Sequence, residues 1–115
     1  MLTFDDGLQS QYDNAFPYLE QKNLKATFFI ISSLINAVAP RGTWEAQPCM
    51  LAPEVRDILD HGHEIAAHTE THPHAVPPFT AALLKELVVS KMRLENDILT
   101  LTNWISPRVV SFCYP

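Results

Sequence analysis

Two histidines four positions apart, His68 and His72, are the residues of this sequence best placed to do chemistry. One helical turn or tight loop can aim both imidazoles at a single point, and neutral imidazole is the commonest metal ligand in proteins. Pro73 follows directly and stiffens the exit from His72, because its ring fixes φ and it lacks a backbone N–H. Alone, a pair with this spacing is as consistent with two surface histidines as with a metal site.

Two neighbouring aspartates, Asp5 and Asp6, supply the carboxylates that such a site would need. Asp-Gly is also common turn chemistry, so the pair before Gly7 could be a plain turn after a strand. One carboxylate and two imidazoles would leave a metal an open position for water or substrate. The second carboxylate would then be free to act as a general base, which is the arrangement that a metal-dependent hydrolase uses.

The elements that must position these residues alternate along the chain. Apolar runs predict strands at 1–4, 26–31, 63–67 and 108–113, and amphipathic or Pro-initiated stretches predict helices at 14–23 and 53–60. Irregular loops are expected at 32–50 and 73–79. Thr80 is predicted to cap a long third helix. The buried stripe predicted for this helix consists of Leu84, Leu87, Val88, Leu94, Ile98 and Leu101.

Alternation of strands and helices predicts a parallel α/β sheet or barrel. In such folds the sites form at the carboxyl ends of the strands. The first predicted strand ends at Asp5 and Asp6, and the third ends at His68. The order of elements therefore indicates that the two candidate motifs meet at one edge of the sheet.

Composition limits the classes of function. The chain has 115 residues, a net charge of −5 and 47% hydrophobic residues, which indicates at most one domain with ample core. This charge offers no basic surface for nucleic acid or anionic lipid. No run of roughly 18 apolar residues is present, so no transmembrane segment is expected. Two cysteines, Cys49 and Cys113, leave the redox compartment open.

Thr3-Phe4-Asp5-Asp6-Gly7 and the later His68-Thr69-x-x-His72-Pro73 together resemble the first two motifs of the polysaccharide deacetylases, the NodB-homology domains of carbohydrate esterase family 4. The resemblance implies a distorted (β/α) barrel with fewer strands than the usual eight. An eight-stranded barrel takes roughly 250 residues. We therefore expect residues 1–115 to be the N-terminal portion of a single catalytic domain, truncated after about four β/α units.

The implied activity is metal-dependent hydrolysis of N-acetyl (or O-acetyl) groups on a carbohydrate polymer such as poly-N-acetylglucosamine, chitin or peptidoglycan, with release of acetate. By the resemblance, Asp5 is the general base, and Asp6, His68 and His72 hold the metal, usually Zn²⁺. Thr69 shapes the turn between the two histidines. The implied partner is an N-acetylated polysaccharide, and the implied location is extracytoplasmic.

The third family motif corresponds to the end of this chain, where the resemblance implies that Tyr114 and Pro115 bind substrate. Cys113 stands where the family usually has an arginine that orients the base. A small residue followed by Tyr-Pro is similar to the subgroup that acts on poly-N-acetylglucosamine. The family's general acid and oxyanion donor would fall after Pro115, so we expect this fragment to bind metal weakly and to turn over slowly.

Two alternatives remain open from the sequence. One is a hydrolase of the same fold that acts on a small non-sugar amide, because fold does not fix function. The other is a non-catalytic remnant that binds metal or glycan.

Overall fold

A computed structural model describes residues 1–73, 80–99 and 108–115. In chain order its elements are β1 (Leu2–Phe4), a π-helical turn (Gln11–Ala15), α1 (Phe16–Gln21), β2 (Ala26–Ile30), a 3₁₀ turn (Ser32–Leu34), β3 (Thr43–Trp44), β4 (Gln47–Pro48), α2 (Ala52–Asp60), β5 (Glu64–Ala67), α3 (Ala81–Arg93) and a second π-helical turn (Leu94–Ile98). Within the described residues, none of these helices is both long enough and apolar enough to cross a membrane.

The main sheet is parallel, with strand order β1-β2-β5. Every residue of the central strand, β2, is buried, as its uninterrupted apolar sequence predicts for a strand covered on both faces. Parallel strands place their carboxyl ends at the same edge of a sheet. The predicted α/β class with a parallel sheet is therefore confirmed, and the edge that follows Phe4 and Ala67 is where the candidate motifs begin.

The predicted fourth strand at 108–113 is wrong in extent. Among the described residues of this segment, only Phe112 forms a bridge, which pairs it in parallel with the last residue of β5. The backbone of Val109 shows why the pairing does not continue. Its N–H donates to the Glu95 carboxylate at 2.7 Å, and its carbonyl accepts from Lys91 Nζ at 2.5 Å. Side chains of α3 and of the following turn thus form hydrogen bonds with the N–H and carbonyl of Val109, which a continuing strand would instead pair with the backbone of β5.

The first two predicted helices form, but the first begins earlier than expected. A π-helical turn runs directly into α1. Asn14, where the predicted helix starts, lies inside that turn, and its side chain donates to the carbonyl of Ser10 at 3.0 Å. Pro17 occupies the first turn of α1 and Pro53 the first turn of α2, as predicted. Gly62 ends the second helix with a left-handed φ of 82°.

Thr80 caps α3 as predicted, with its side chain accepting from the backbone N–H of Leu83 at 3.4 Å. The predicted buried stripe is partly wrong, because Leu84 is 50% exposed and Val88 is 45% exposed. In the first part of the helix the buried stripe is shifted by one residue from the predicted one, so that Leu83 is buried instead of Leu84. Neighbouring apolar pairs at 83–84 and 87–88 allowed either phase. The buried residues that follow on this face are Ser90, Leu94 and Ile98, while Leu101 and residues 74–79 lie outside the described residues.

The segment at 32–50, predicted to be an irregular loop, contains a hairpin of β3 and β4. Glu45 and Ala46 connect the two strands, and both have positive φ (46° and 63°), as type I′ turns require. Neither residue is typical of such a turn, so the local sequence gave no signal for it. The hairpin matters for the site because it carries Trp44.

Glu64, on β5, ties three neighbouring segments of the sheet together. Its carboxylate accepts hydrogen bonds from the hydroxyls of Ser111 and Thr27, the latter at 2.7 Å. Both hydrogen bonds lower the pKa of Glu64 below its ordinary value of 4.5, and the one from Ser111 has the larger effect. A carboxyl whose pKa is lower in the folded state stabilises the fold above the unfolded-state pKa, and the stabilisation is lost as the pH falls through the folded-state pKa.

We predict that Glu64→Gln lowers the free energy of unfolding by roughly 1 kcal/mol at pH 7, because a neutral amide replaces a hydrogen-bonded carboxylate. The difference from the wild type should shrink as the pH falls below 4.5, where the wild-type carboxyl takes up its proton. Urea unfolding at several pH values measures both effects. Glu45→Gln, in the exposed hairpin turn, is the control. A difference that stays constant down to acid pH would contradict the prediction.

Candidate metal centre

The structure brings Asp6, His68 and His72 together at the carboxyl edge of the sheet. Nε2 of His68 lies 3.5 Å from Asp6 Oδ1, and Nε2 of His72 lies 3.4 Å from the same oxygen. One ligand atom from each residue falls within 4.8 Å of the others, which is a group that could hold a metal ion. Asp6 follows β1 and His68 follows β5, so the two outer strands of the sheet deliver the two motifs to one point.

His68 is buried, and a hydrogen bond at the ring nitrogen farther from Asp6 fixes the orientation of its ring. Its Nδ1 lies 3.0 Å from the backbone carbonyl oxygen of Cys113. A carbonyl oxygen can only accept, so Nδ1 carries the proton and donates, which leaves the lone pair on Nε2 directed toward Asp6. A hydrogen bond from the distal ring nitrogen to a carbonyl is the usual support of a metal-ligating histidine.

The ring of His72 packs between two other rings. Its centroid lies 4.3 Å from that of Trp44 on the hairpin and 5.0 Å from that of His68, with an interplanar angle of 70° to His68. The hairpin that the sequence did not predict therefore forms one wall of the site. The observed ring contact of Trp44 is with a candidate metal ligand.

The backbone around the ligands is unusually left-handed. Asp6, Thr69 and His72 have φ values of 73°, 66° and 56°, although none of them is glycine. A non-glycine residue in this region costs of order 1–3 kcal/mol, and a β-branched residue such as threonine is especially disfavoured there. Thr69 is fully buried, and its Oγ1 accepts from the backbone N–H of His72 at 2.9 Å. This bond closes the turn between the histidines, as expected for Thr69.

Asp5, the expected base, is exposed and directly precedes the candidate ligand Asp6 in the chain. Burial, and then the negative charge of Asp5, raise the pKa of the Cys113 thiol. No residue of the described part of the chain forms a hydrogen bond or ion pair with the Asp5 carboxylate. The place that the resemblance assigns to an arginine is occupied by a cysteine, whose thiol donates to the carbonyl of Tyr114 at 3.4 Å.

Burial raises the pKa of both cysteine thiols near the site above the ordinary value of 9.0. Cys49 is completely buried, and burial together with the charge of Asp6 raises the pKa of its thiol to about 11. Within the described residues, the group that could hold a metal includes neither Cys49 nor Cys113. Tyr114 packs its ring edge-on against Phe112 and is 45% exposed. A substrate-binding role for Tyr114 and Pro115 stays a prediction.

One residue that contacts this region was not predicted from the sequence. Glu86, on α3, accepts hydrogen bonds from the loop between the two histidines. Nothing in the local sequence singles it out, because it lies on a helix and its partners are 15 and 16 positions away.

Three ligands arranged in this way resemble an open metal site more than a closed one. Structural zinc sites have four protein ligands, whereas catalytic sites have three and leave a position for water or substrate. A second carboxylate, Asp5, stands beside the group. Chemically, the arrangement can bind a divalent ion and hold a base close to it.

Comparison with known proteins agrees with these observations. Residues 1–115 match the model of one protein family, described as polysaccharide deacetylase. The chain belongs to the polysaccharide deacetylase family. A chitin deacetylase from Amylomyces rouxii is 30% identical over 95 residues, which are 82% of this chain and 19% of that protein.

Solved structures show the same fold. IcaB from Ammonifex degensii superposes with a TM-score of 0.80 at 23% identity, covering 100% of this chain and 49% of that one. The deacetylase PplD of Streptococcus pyogenes, in complex with acetate, superposes with a TM-score of 0.74 at 24% identity. The match covers 99% of this chain and 44% of that one. The chain thus has the fold of the deacetylase (β/α) barrel and spans about half the length of these structures.

We predict that Thr69→Val lowers the free energy of unfolding by about 1 kcal/mol, because the backbone N–H of His72 loses its acceptor. Valine is also β-branched, so the strain of the left-handed backbone is the same in both proteins. Thr69→Ser keeps the oxygen and should be the more stable of the two variants, because the loss of its buried methyl group is offset by an easier left-handed backbone. Urea unfolding compares the three. Equal stability of the valine and serine variants would show that this hydrogen bond does not hold the turn.

Proposed function

We propose that this chain is the metal-binding part of a hydrolase that removes N-acetyl (or O-acetyl) groups from a carbohydrate polymer and releases acetate. The observation that carries the proposal is the convergence of Asp6, His68 and His72, with both imidazole Nε2 atoms 3.4–3.5 Å from one Asp6 oxygen. Membership of the polysaccharide deacetylase family supports it. In this proposal, residues 1–115 form the N-terminal portion of a single catalytic domain.

The residues of the site fit Zn²⁺ or another divalent metal. Two imidazole nitrogens and one carboxylate oxygen are a donor set that zinc accepts, and the hydrogen bond from His68 Nδ1 to the carbonyl of Cys113 fixes the required tautomer. A bound ion of this kind lowers the pKa of water and polarises a carbonyl group. Asp6, His68 and His72 are proposed to hold it.

Asp5 is proposed to be the general base. It follows β1 next to Asp6, so its carboxylate can reach a water molecule at the metal site and take up its proton. In the described residues no cation pairs with this carboxylate, and position 113 holds a cysteine where the resemblance leads one to expect an arginine.

The proposed partner is an N-acetylated polysaccharide such as poly-N-acetylglucosamine, chitin or peptidoglycan, with Tyr114 and Pro115 at its binding surface. A chitin deacetylase among the relatives supports this class of substrate. The net charge of −5 is compatible with an uncharged or positively charged glycan and disfavours nucleic acid. Because such polymers lie outside the cytoplasm, we propose an extracytoplasmic location.

A second candidate function is non-catalytic binding of metal or glycan. The observation that favours it is Cys113, since a base without its usual cationic partner is less well oriented for proton transfer. The metal ligands do not depend on that partner. The two candidates therefore predict the same metal content and differ in turnover.

We predict that the chain binds one zinc ion per molecule in equilibrium dialysis against excess zinc, measured by elemental analysis of the two compartments. Asp6→Ala and His68→Ala should each lose most of it, because two remaining ligands hold zinc poorly. His61→Ala is the control, since His61 lies at the end of α2 outside the group. Soluble, folded wild type without zinc would contradict the proposed site.

We predict that Asp5→Asn keeps the zinc and lowers the rate of acetate release from an N-acetylglucosamine oligomer by about 10²–10⁴-fold, the usual contribution of a general base. The assay uses the whole catalytic domain of which, in this proposal, residues 1–115 are the N-terminal portion, because the fragment alone is expected to turn over slowly. Zinc retained in both proteins, together with wild-type acetate release no faster than that of Asp5→Asn, would favour the binding function over the hydrolase.

A further inference from the structure

The loop between the two histidines is held from outside by one carboxylate. Glu86 Oε2 accepts from the backbone N–H of Glu70 at 2.9 Å and from that of Thr71 at 2.8 Å. Its other oxygen, Oε1, accepts from the hydroxyl of Thr71 at 2.8 Å. Hydrogen bonds to an ionised acceptor are roughly twice as strong as neutral ones. Three of them therefore connect α3 to the two residues just before His72.

On its other side the same loop is held by the segment that follows β2. The backbone N–H of Ser32 donates to the carbonyl of Thr69 at 3.3 Å, and that of Ser33 donates to the carbonyl of Glu70 at 3.1 Å. The hydroxyl of Ser32 also donates to the Glu70 carboxylate at 3.1 Å. The loop thus accepts hydrogen bonds through two carbonyls from the segment after β2. It donates hydrogen bonds through two N–H groups to α3.

This loop has reason to depend on outside support. Thr69 and His72, at its two ends, both have left-handed backbones, and such conformations persist only where the surroundings determine them. His72 lies one residue after Thr71, so the orientation of the Thr71 peptide fixes where the His72 ring can point. Release of the two N–H groups would let the backbone relax toward ordinary φ values and carry His72 away from Asp6.

We propose that Glu86 is a positioning residue of the metal centre, and that its carboxylate keeps His72 in the orientation that ligates metal. The inference rests on the proposed metal site. In the part of the chain that the structure describes, the candidate metal-binding group contains Asp6, His68 and His72 and does not include Glu86. It acts through the backbone of Glu70 and Thr71.

The test compares Glu86→Ala with Glu86→Gln. Alanine leaves two backbone N–H groups without their acceptor. Glutamine keeps one carbonyl oxygen that can take both, while its amide group can donate to the Thr71 hydroxyl. We expect alanine to weaken zinc affinity by about 10–100-fold, as loss of a supporting partner of a metal ligand typically does, and glutamine to restore most of it. Competition with a chromophoric chelator measures the affinity.

A matched control separates positioning from general stability. Asp57, on α2, is likewise a helical carboxylate bonded to another segment, accepting from the hydroxyl of Tyr12 at 2.7 Å. Asp57→Ala should lower the free energy of unfolding and leave zinc affinity within about twofold of the wild type, because it supports no residue of the group. The visible absorption spectrum of the Co²⁺-substituted proteins reports ligand geometry directly, and of these variants Glu86→Ala should alter it most, with Glu86→Gln and Asp57→Ala close to the wild type.

The outcomes distinguish this inference from the proposed function. Zinc bound by the wild type, with affinity and Co²⁺ spectrum unchanged in Glu86→Ala, would overturn the role of Glu86 alone. An equal loss of affinity in Glu86→Ala and Asp57→Ala would overturn it as well, since the effect would then be general. No zinc in the folded wild type would overturn the metal centre together with this role. If Glu86→Ala does not fold, Glu86→Asp, which is one methylene too short to reach both N–H groups, takes its place with the same expected loss.

Discussion

The parallel pairing of β2 with its two neighbours is the constraint on which the rest of the structure depends. β2 is buried at every position, and it aligns Phe4 of β1 with Phe28 and Ala67 of β5 with Ile30. Side chains alternate between the two faces of a strand, so a slip of one residue on either side would turn a ligand to the wrong face. Asp6 and His68 meet because both registers are fixed by the same central strand.

Beyond the strands, the site is built from backbone that most sequences avoid. Three of its residues have left-handed φ values, and the surrounding hydrogen bonds offset the strain. Thr69 closes the turn from within, the segment after β2 holds its carbonyls, and α3 holds its N–H groups. A frame of this kind holds the two imidazoles close to one carboxylate oxygen.

Much of this could be predicted from the sequence. The apolar runs gave the three strands of the sheet, and the spacing of Asp6, His68 and His72 indicated one site because parallel strands end at one edge. The phase of α3 could not be predicted, since apolar residues occur in adjacent pairs and only the packed partner decides between them. The hairpin carrying Trp44 and the contact made by Glu86 are long-range features, for which short-range periodicity carries no signal.

The hydrogen bond between His68 and residue 113 has a consequence for the substitutions that this position can accept. The acceptor is a backbone carbonyl, which every amino acid possesses, so the support of His68 does not depend on the side chain at position 113. That side chain lies close enough to Asp5 for the charge of the Asp5 carboxylate to help raise the pKa of the thiol. If Asp5 is the base, as proposed, a substitution here changes the surroundings of the base and leaves the support of His68 intact. Proton transfer and metal binding would then be set by different parts of one residue, its side chain and its backbone.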